Sequence, residues 1–189
     1  MPRDASCLPS NPPGLQRRAP AAHPSWPILL FIVLLAGCAG TPGPLPDQAD
    51  RVVVHKSERS LELWHGETLL RSYRVALGDA PVGHKFRAGD ERTPIGDYVL
   101  DWRNPHSSFY KSIHISYPNE RDRATARLLG HDPGGMIMIH GQPNHIRSER
   151  VRREYATRDW TDGCIAVQDD EMDEIWRMVR DGTPIRILP

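Results

Sequence analysis

The sequence predicts a mainly β domain, a sandwich or barrel, with a C-terminal α-helix laid against it and one or two short helices besides. Three observations carry that prediction. From Arg51 onward the chain breaks into short runs of β-type residues, bounded by glycine and other turn formers. Apolar and polar residues alternate in the clearest of these runs, the period of a strand with one buried face. One segment near the C-terminus shows a full apolar stripe at helical spacing.

The elements follow in order. Arg51–Lys56 and Ser60–His65 are separated by Ser57-Glu58-Arg59, which suits a hairpin, and Leu61 and Leu63 alternate with Glu62 and Trp64. His65-Gly66-Glu67 turns the chain into Leu69–Leu77, which ends at Gly78. Gly96–Asp101, Ser112–Tyr117, Met136–His140 and Pro184–Leu188 are further strands. Asn119–Leu129 is polar and closes at Gly130, a short helix. In Asp169–Arg180, Met172, Ile175, Trp176 and Val179 fall on one face, and Asp169, Asp170 and Glu171 crowd the first turn, where carboxylates meet the positive end of the helix dipole. Gly182 and Pro184 end it. No period of 20–50 residues recurs, which excludes a solenoid or propeller.

Residues 1–50 have a different character. Seven prolines and the pair Arg17-Arg18 precede Ile28–Ala36, an apolar run of nine residues. A membrane-spanning helix needs about 20, so the run fits the core of a secretory signal instead. It ends in Leu35-Ala36-Gly37-Cys38, which resembles a bacterial lipobox. The resemblance implies cleavage before Cys38 and acylation of its thiol; the alternative is an ordinary signal with a coincidental cysteine. Residues 1–37 are accordingly read as a signal peptide with lipobox, 38–50 as a lipidated Pro/Gly-rich tether, and 51–189 as the folded domain. Ala39, where aspartate would be the usual inner-membrane retention signal, favours the outer membrane. The expected location is the periplasm on a lipid anchor, or a secreted protein if the lipobox is unused.

Charge is balanced, with 24 basic and 24 acidic residues, so nothing points to nucleic acid. Cys7 leaves with the signal and Cys38 carries lipid, which leaves Cys164 without an intramolecular partner. Thiols in an oxidising compartment are usually paired, so a solitary one is either a small buried hydrophobe or a thiol in use. Cys164 follows Gly163 in Thr161-Asp162-Gly163-Cys164, where an unhindered backbone lets N–H groups point at an oxyanion. A nucleophilic thiol needs a base, and His140, at the end of a strand leading into Gly141, is the candidate. No zinc, Cys-x-x-Cys or phosphate-loop pattern occurs, and no metal or cofactor is expected.

Ile139-His140-Gly141 followed by Thr161-Asp162-Gly163-Cys164-Ile165 resembles the L,D-transpeptidase catalytic-domain (YkuD-like) family, which pairs His-Gly with a later Ser/Thr-x-Gly-Cys. Thr93-Pro94-Ile95-Gly96-Asp97-Tyr98 is similar to its upstream Thr-Pro-x-Gly-x-aromatic segment. The resemblance implies a β-sandwich-like fold and a cysteine acyltransferase acting on peptidoglycan stem peptides. By it, Cys164 attacks the peptide carbonyl between an L-centre and a D-residue, and His140 takes the thiol proton. The Gly141 carbonyl orients the imidazole, N–H groups around Gly163 and Cys164 hold the oxyanion, and Thr161 shapes the loop. Asp162 and Ala166 depart from the pattern, since many members have His or Asn before the Gly-Cys and Arg two residues after the cysteine.

Other residues have two readings each. His145–Arg158 carries five arginines against two glutamates, either a solvated helix face or a lid whose Arg147 or Arg158 supplies the carboxylate-binding charge missing at Ala166. His114 lies on the Ser112 side of its strand and either lines the groove or is a hydrogen-bonded structural histidine. A monomer is expected. Two further functions remain open: a hydrolase with the same centre and water as acceptor, and a non-catalytic wall-binding module with an inert cysteine.

Overall fold

The computed structural model describes residues 47–189. The expected signal peptide, Cys38 and most of the tether lie outside the described residues. Within them the order is β1 (Arg51–His55), β2 (Ser60–His65), β3 (Thr68–Arg74), β4 (Gly96–Asn104), β5 (Ser112–Ile115), α1 (Glu120–Leu128), β6 (Met138–His140), α2 (Glu149–Tyr155), β7 (Ile165–Ala166), α3 (Asp169–Met178) and β8 (Thr183–Leu188). The strands form one sheet in the order β3-β2-β1-β8-β4-β5-β6-β7.

Period-two alternation does what it promises in β2, and the unbroken valine run of β1 takes up the same burial pattern beside it. Val52, Val54, Leu61 and Leu63 are buried, while Val53, Glu62 and Trp64 are partly exposed on the other face. β1 pairs antiparallel with β2 and parallel with β8, which sets Val52 beside Ile185 and Val54 beside Ile187. Each such side chain contributes roughly 1.5–3 kcal/mol on leaving water. The domain also starts slightly before β1. Ala49, expected in the tether, is buried and donates its N–H to Met178 O, and Asp50 donates to Trp64 O.

Both longer helices begin where their first-turn chemistry places them. Asn119 caps α1, and the Asn119 and Asp122 side chains each accept the other's backbone N–H, which satisfies two donors a helix start leaves over. α3 begins with three acids and turns Met172, Ile175 and Met178 into the core. It stops at Met178, short of the expected Arg180, because Val179 is already extended and Gly182 N–H is bonded to Leu100 O at the approach to β8.

The sheet curls until its two outer strands meet. Past β3 the chain continues to Ala76, which exchanges backbone hydrogen bonds of 2.9 and 2.8 Å with Ala166 of β7. The Leu77 carbonyl accepts both Trp160 N–H and Thr161 N–H at 3.1 Å, and Asp79 N–H donates to Thr161 O. These bonds satisfy two edges that would otherwise offer unpaired groups to other chains. They also fix residues 160–166, the segment around Cys164, on the seam of the closed sheet.

Candidate active site

Parallel pairing of β6 with β7 sets Ile139 beside Ile165 and His140 beside Ala166. Cys164 therefore lies level with Met138, one side-chain repeat, roughly 6–7 Å, from His140 along the strand direction. Both line one cleft of about 230 Å³, together with Ser107, Phe109, Ser112, Met136, Met138, Trp160, Thr161 and Asp162.

The turn that presents Cys164 is held from inside. The buried Thr161 hydroxyl accepts the Gly163 N–H at 3.1 Å and donates to the Cys164 carbonyl at 2.8 Å. Gly163 has φ +125°, and a Cβ there would lie 2.5 Å from the Arg92 carbonyl oxygen, so only glycine lets the turn rest on the 92–93 loop. That loop is itself pinned: Thr93 Oγ1 accepts Gly78 N–H, and the buried Lys56 ammonium donates to Thr93 O at 2.6 Å and to Gly83 O. With the Gly163 N–H engaged, the Cys164 N–H, like that of Asp162, has no protein acceptor among the described residues.

His140 Nδ1 lies 2.7 Å from the Gly141 carbonyl oxygen. A carbonyl only accepts, so Nδ1 carries the proton and Nε2 is the basic nitrogen. The ring is 3% exposed and packs against Phe109 at 4.7 Å and Trp160 at 5.7 Å between centroids. Burial disfavours imidazolium and brings the His140 pKa down to about 4, with the Gly141 bond acting the other way. Burial also raises the Cys164 thiol, the Asp162 charge adds to this, and the Met138 N–H and Lys85 oppose it. At neutral pH the resting pair is thus a thiol and a neutral imidazole. Sγ accepts the Met138 N–H at 3.4 Å and lies 3.6 Å from Met136 O; among the described residues no hydrogen bond joins it to His140.

Asp169, at the start of α3, ties three elements at this site. Its Oδ1 accepts the Gln142 N–H at 2.8 Å, two residues past His140, and would be 2.7 Å from a Cβ on Gly141. Its Oδ2 accepts Arg152 Nη1, which fastens α2 to the same carboxylate.

The other sequence-derived residues fall in different places. His114 is held by Asp101, 2.7 Å from Nδ1, and stacks on Trp102; it pairs with Met138 across the ladder but does not itself line the cleft. Arg147 does not line it either. Arg158 lies 5.0 Å over the Tyr155 ring, which in turn is 5.0 Å from Trp160. Ala166 is buried at the seam, and Asp162 is exposed at the mouth. Phe109, Trp160, Met136 and Asp169 belong to the site although no motif of the sequence marks them for it. For Met136 the sequence signal is Gly134-Gly135 just before it; the structure gives it φ +56° and leaves it 64% exposed, a strained position beside the thiol.

A curled β domain presenting a glycine-turn cysteine and a carbonyl-held histidine in one cleft defines the class of protein. The chain belongs to the YkuD family: the model of this L,D-transpeptidase catalytic domain matches residues 49–187. It is 34% identical over 135 residues to the Escherichia coli K12 protein named "Putative L,D-transpeptidase YafK", a match covering 68% of this chain and 46% of that protein. Among solved structures, a point mutant of the helical cell shape determining protein Pgp2 from Campylobacter jejuni matches with a TM-score of 0.56 and 26% identity, over 75% of this chain and 47% of that one. Bd1075 of Bdellovibrio bacteriovorus shares the fold with a TM-score of 0.51 and 24% identity, over 75% and 48%. The chain thus spans about half the length of these relatives.

Proposed function

We propose that this protein is a cysteine acyltransferase acting on peptidoglycan stem peptides through a Cys164 thioester. The observation that carries this reading is the shared cleft, lined by both the Cys164 thiol and an imidazole whose basic nitrogen is Nε2. Because both groups are neutral at rest, proton transfer from Sγ to Nε2 accompanies attack on the carbonyl carbon rather than preceding it. The Cys164 N–H faces the developing oxyanion. His140 then returns the proton to the departing amine, and the C–N bond breaks to leave the thioester. An acceptor amine, deprotonated by the same Nε2, attacks the thioester and regenerates the thiol.

A second reading replaces the amine by water, giving hydrolysis. The observation in its favour is size: about 230 Å³ is below the 300–1,000 Å³ typical of enclosed ligand sites, so a second peptide has no enclosed seat. Export on a lipid anchor at Cys38 would place either activity at the cell wall. The name of Pgp2 ties that protein to cell shape, and wall remodelling of this kind is proposed here as well.

The test incubates the purified protein with tetrapeptide muropeptides, with and without an acceptor amine, and with crosslinked sacculi. A covalent acyl adduct on Cys164 by mass spectrometry is expected, absent in Cys164→Ala and strongly reduced in His140→Ala. Crosslinked dimers identify transfer, and released monomers identify hydrolysis. Turnover that survives Cys164→Ala would overturn the proposal.

A further inference from the structure

A second cleft, of about 470 Å³, is lined by the residues that lead directly into the nucleophile turn. It is lined by Glu58 and Arg59 of the β1–β2 turn, Arg74 at the end of β3, and Thr157, Arg158 and Asp159 ahead of the nucleophile turn. Three guanidinium groups from three separate segments converge there. Arg59 is matched, because its Nε and Nη2 donate to the Asp159 carboxylate at 3.0 and 2.7 Å. Asp159 is further committed to the Leu77 N–H at 2.9 Å. Arg74 reaches only the Thr157 carbonyl, at 3.5 Å, and Arg158 lies over Tyr155. Among the described residues neither has a carboxylate within ion-pair distance.

Both guanidinium groups are exposed and line this one cleft, so an anion seated there has two donor forks available, with Glu58 the lining carboxylate that is not paired to Arg59. Their planar donor forks fit a carboxylate in two parallel hydrogen bonds. The cleft also lies within reach of the reacting centre. Asp159 lines one cleft and Trp160 the other. From the Arg158 guanidinium the contacts run 5.0 Å to Tyr155, 5.0 Å on to Trp160 and 5.7 Å to His140. An extended peptide of about four or five residues covers that path.

We propose that Arg74 and Arg158 form a carboxylate subsite, which holds a side-chain carboxylate of the substrate peptide while its scissile carbonyl lies at Cys164. The subsite supplies the fixed positive charge that Ala166 does not. It rests on the acyl-transfer reading for its ligand, not for its geometry.

The test is direct binding of a tetrapeptide stem peptide, and of the same peptide with its side-chain carboxylates converted to amides, to the Cys164→Ala protein. Arg74→Gln and Arg158→Gln are each expected to weaken binding of the acid peptide about three- to tenfold, and together more, with the melting temperature unchanged. The amide peptide is expected to bind weakly and equally to parent and variants. Equal losses for both peptides, no loss for either, or no binding of the acid peptide to the parent would overturn the subsite. Charge-specific binding without any Cys164 adduct in the intact protein would instead leave the subsite standing and sink the acyl-transfer reading.

Discussion

Thr161→Val removes one hydroxyl and almost nothing else, so it isolates what holds the nucleophile turn. Thr161 is 4% exposed, and its hydroxyl makes two bonds, from Gly163 N–H and to Cys164 O. Valine fills the same space but leaves a buried N–H and a partly buried carbonyl unsatisfied. Each unsatisfied group costs about 1–3 kcal/mol, and the carbonyl falls at the low end because it has partial access to water, so about 2–4 kcal/mol is expected. For a domain of this size each kcal/mol moves the melting temperature by about 3 °C, which gives a fall of about 6–12 °C. Thr161→Ser keeps the hydroxyl and should melt within about 2 °C of the parent. The functional assay is alkylation of Cys164 and adduct formation with a muropeptide. Adduct formation should fall more than tenfold in the valine variant and recover in the serine variant, because a reacting group displaced by about 1 Å loses that much. A valine variant that melts within about 1 °C of the parent and reacts at the parent rate would refute the assignment of the turn to this hydroxyl.

His140 makes stability depend on pH. Its folded pKa of about 4 lies below the 6.5 of the unfolded chain, so between these values the unfolded chain binds more protons and stability falls as the pH drops. The contribution is about 3 kcal/mol when complete. His84, also held low by burial, acts in the same direction, so His140→Leu should shrink the slope of melting temperature between pH 6.5 and 4.5 without abolishing it; an unchanged slope counts against the buried neutral imidazole. Asp169→Ala should lower kcat roughly 10- to 100-fold by loosening the backbone after His140, with Asp169→Asn recovering most of it because the amide oxygen still accepts Gln142 N–H. Equal kcat in parent and alanine variant would remove Asp169 from the positioning scheme. Asp162→Asn should speed alkylation of Cys164 at neutral pH, since the Asp162 charge raises the thiol pKa, and the gain should shrink in high salt. A slower reaction would mean that the carboxylate assists the thiolate.

All strands but β7, the two longer helices and the family were legible in the sequence because they rest on local patterns. Leu61 and Leu63 announce a buried face by alternation, Met172 and Ile175 by helical spacing, and His140-Gly141 with Gly163-Cys164 by a motif whose parts are short. What surrounds the thiol was not legible, because it depends on residues brought together by closure of the sheet. Ala76 meets Ala166 across 90 positions of chain, and no periodicity within either segment predicts that bond. The same closure decides that Ala166 is buried and that Trp160 and Phe109 wall the imidazole, while pairing of β4 with β5 turns His114 to Asp101. It also brings Arg74 to Arg158, two charges that read separately as solvated surface. Local pattern thus determined which segments are strands and helices and which residues are chemically able to act. Tertiary structure alone decided their protonation and their partners, because burial and distance are properties of the closed sheet and not of any stretch of the chain.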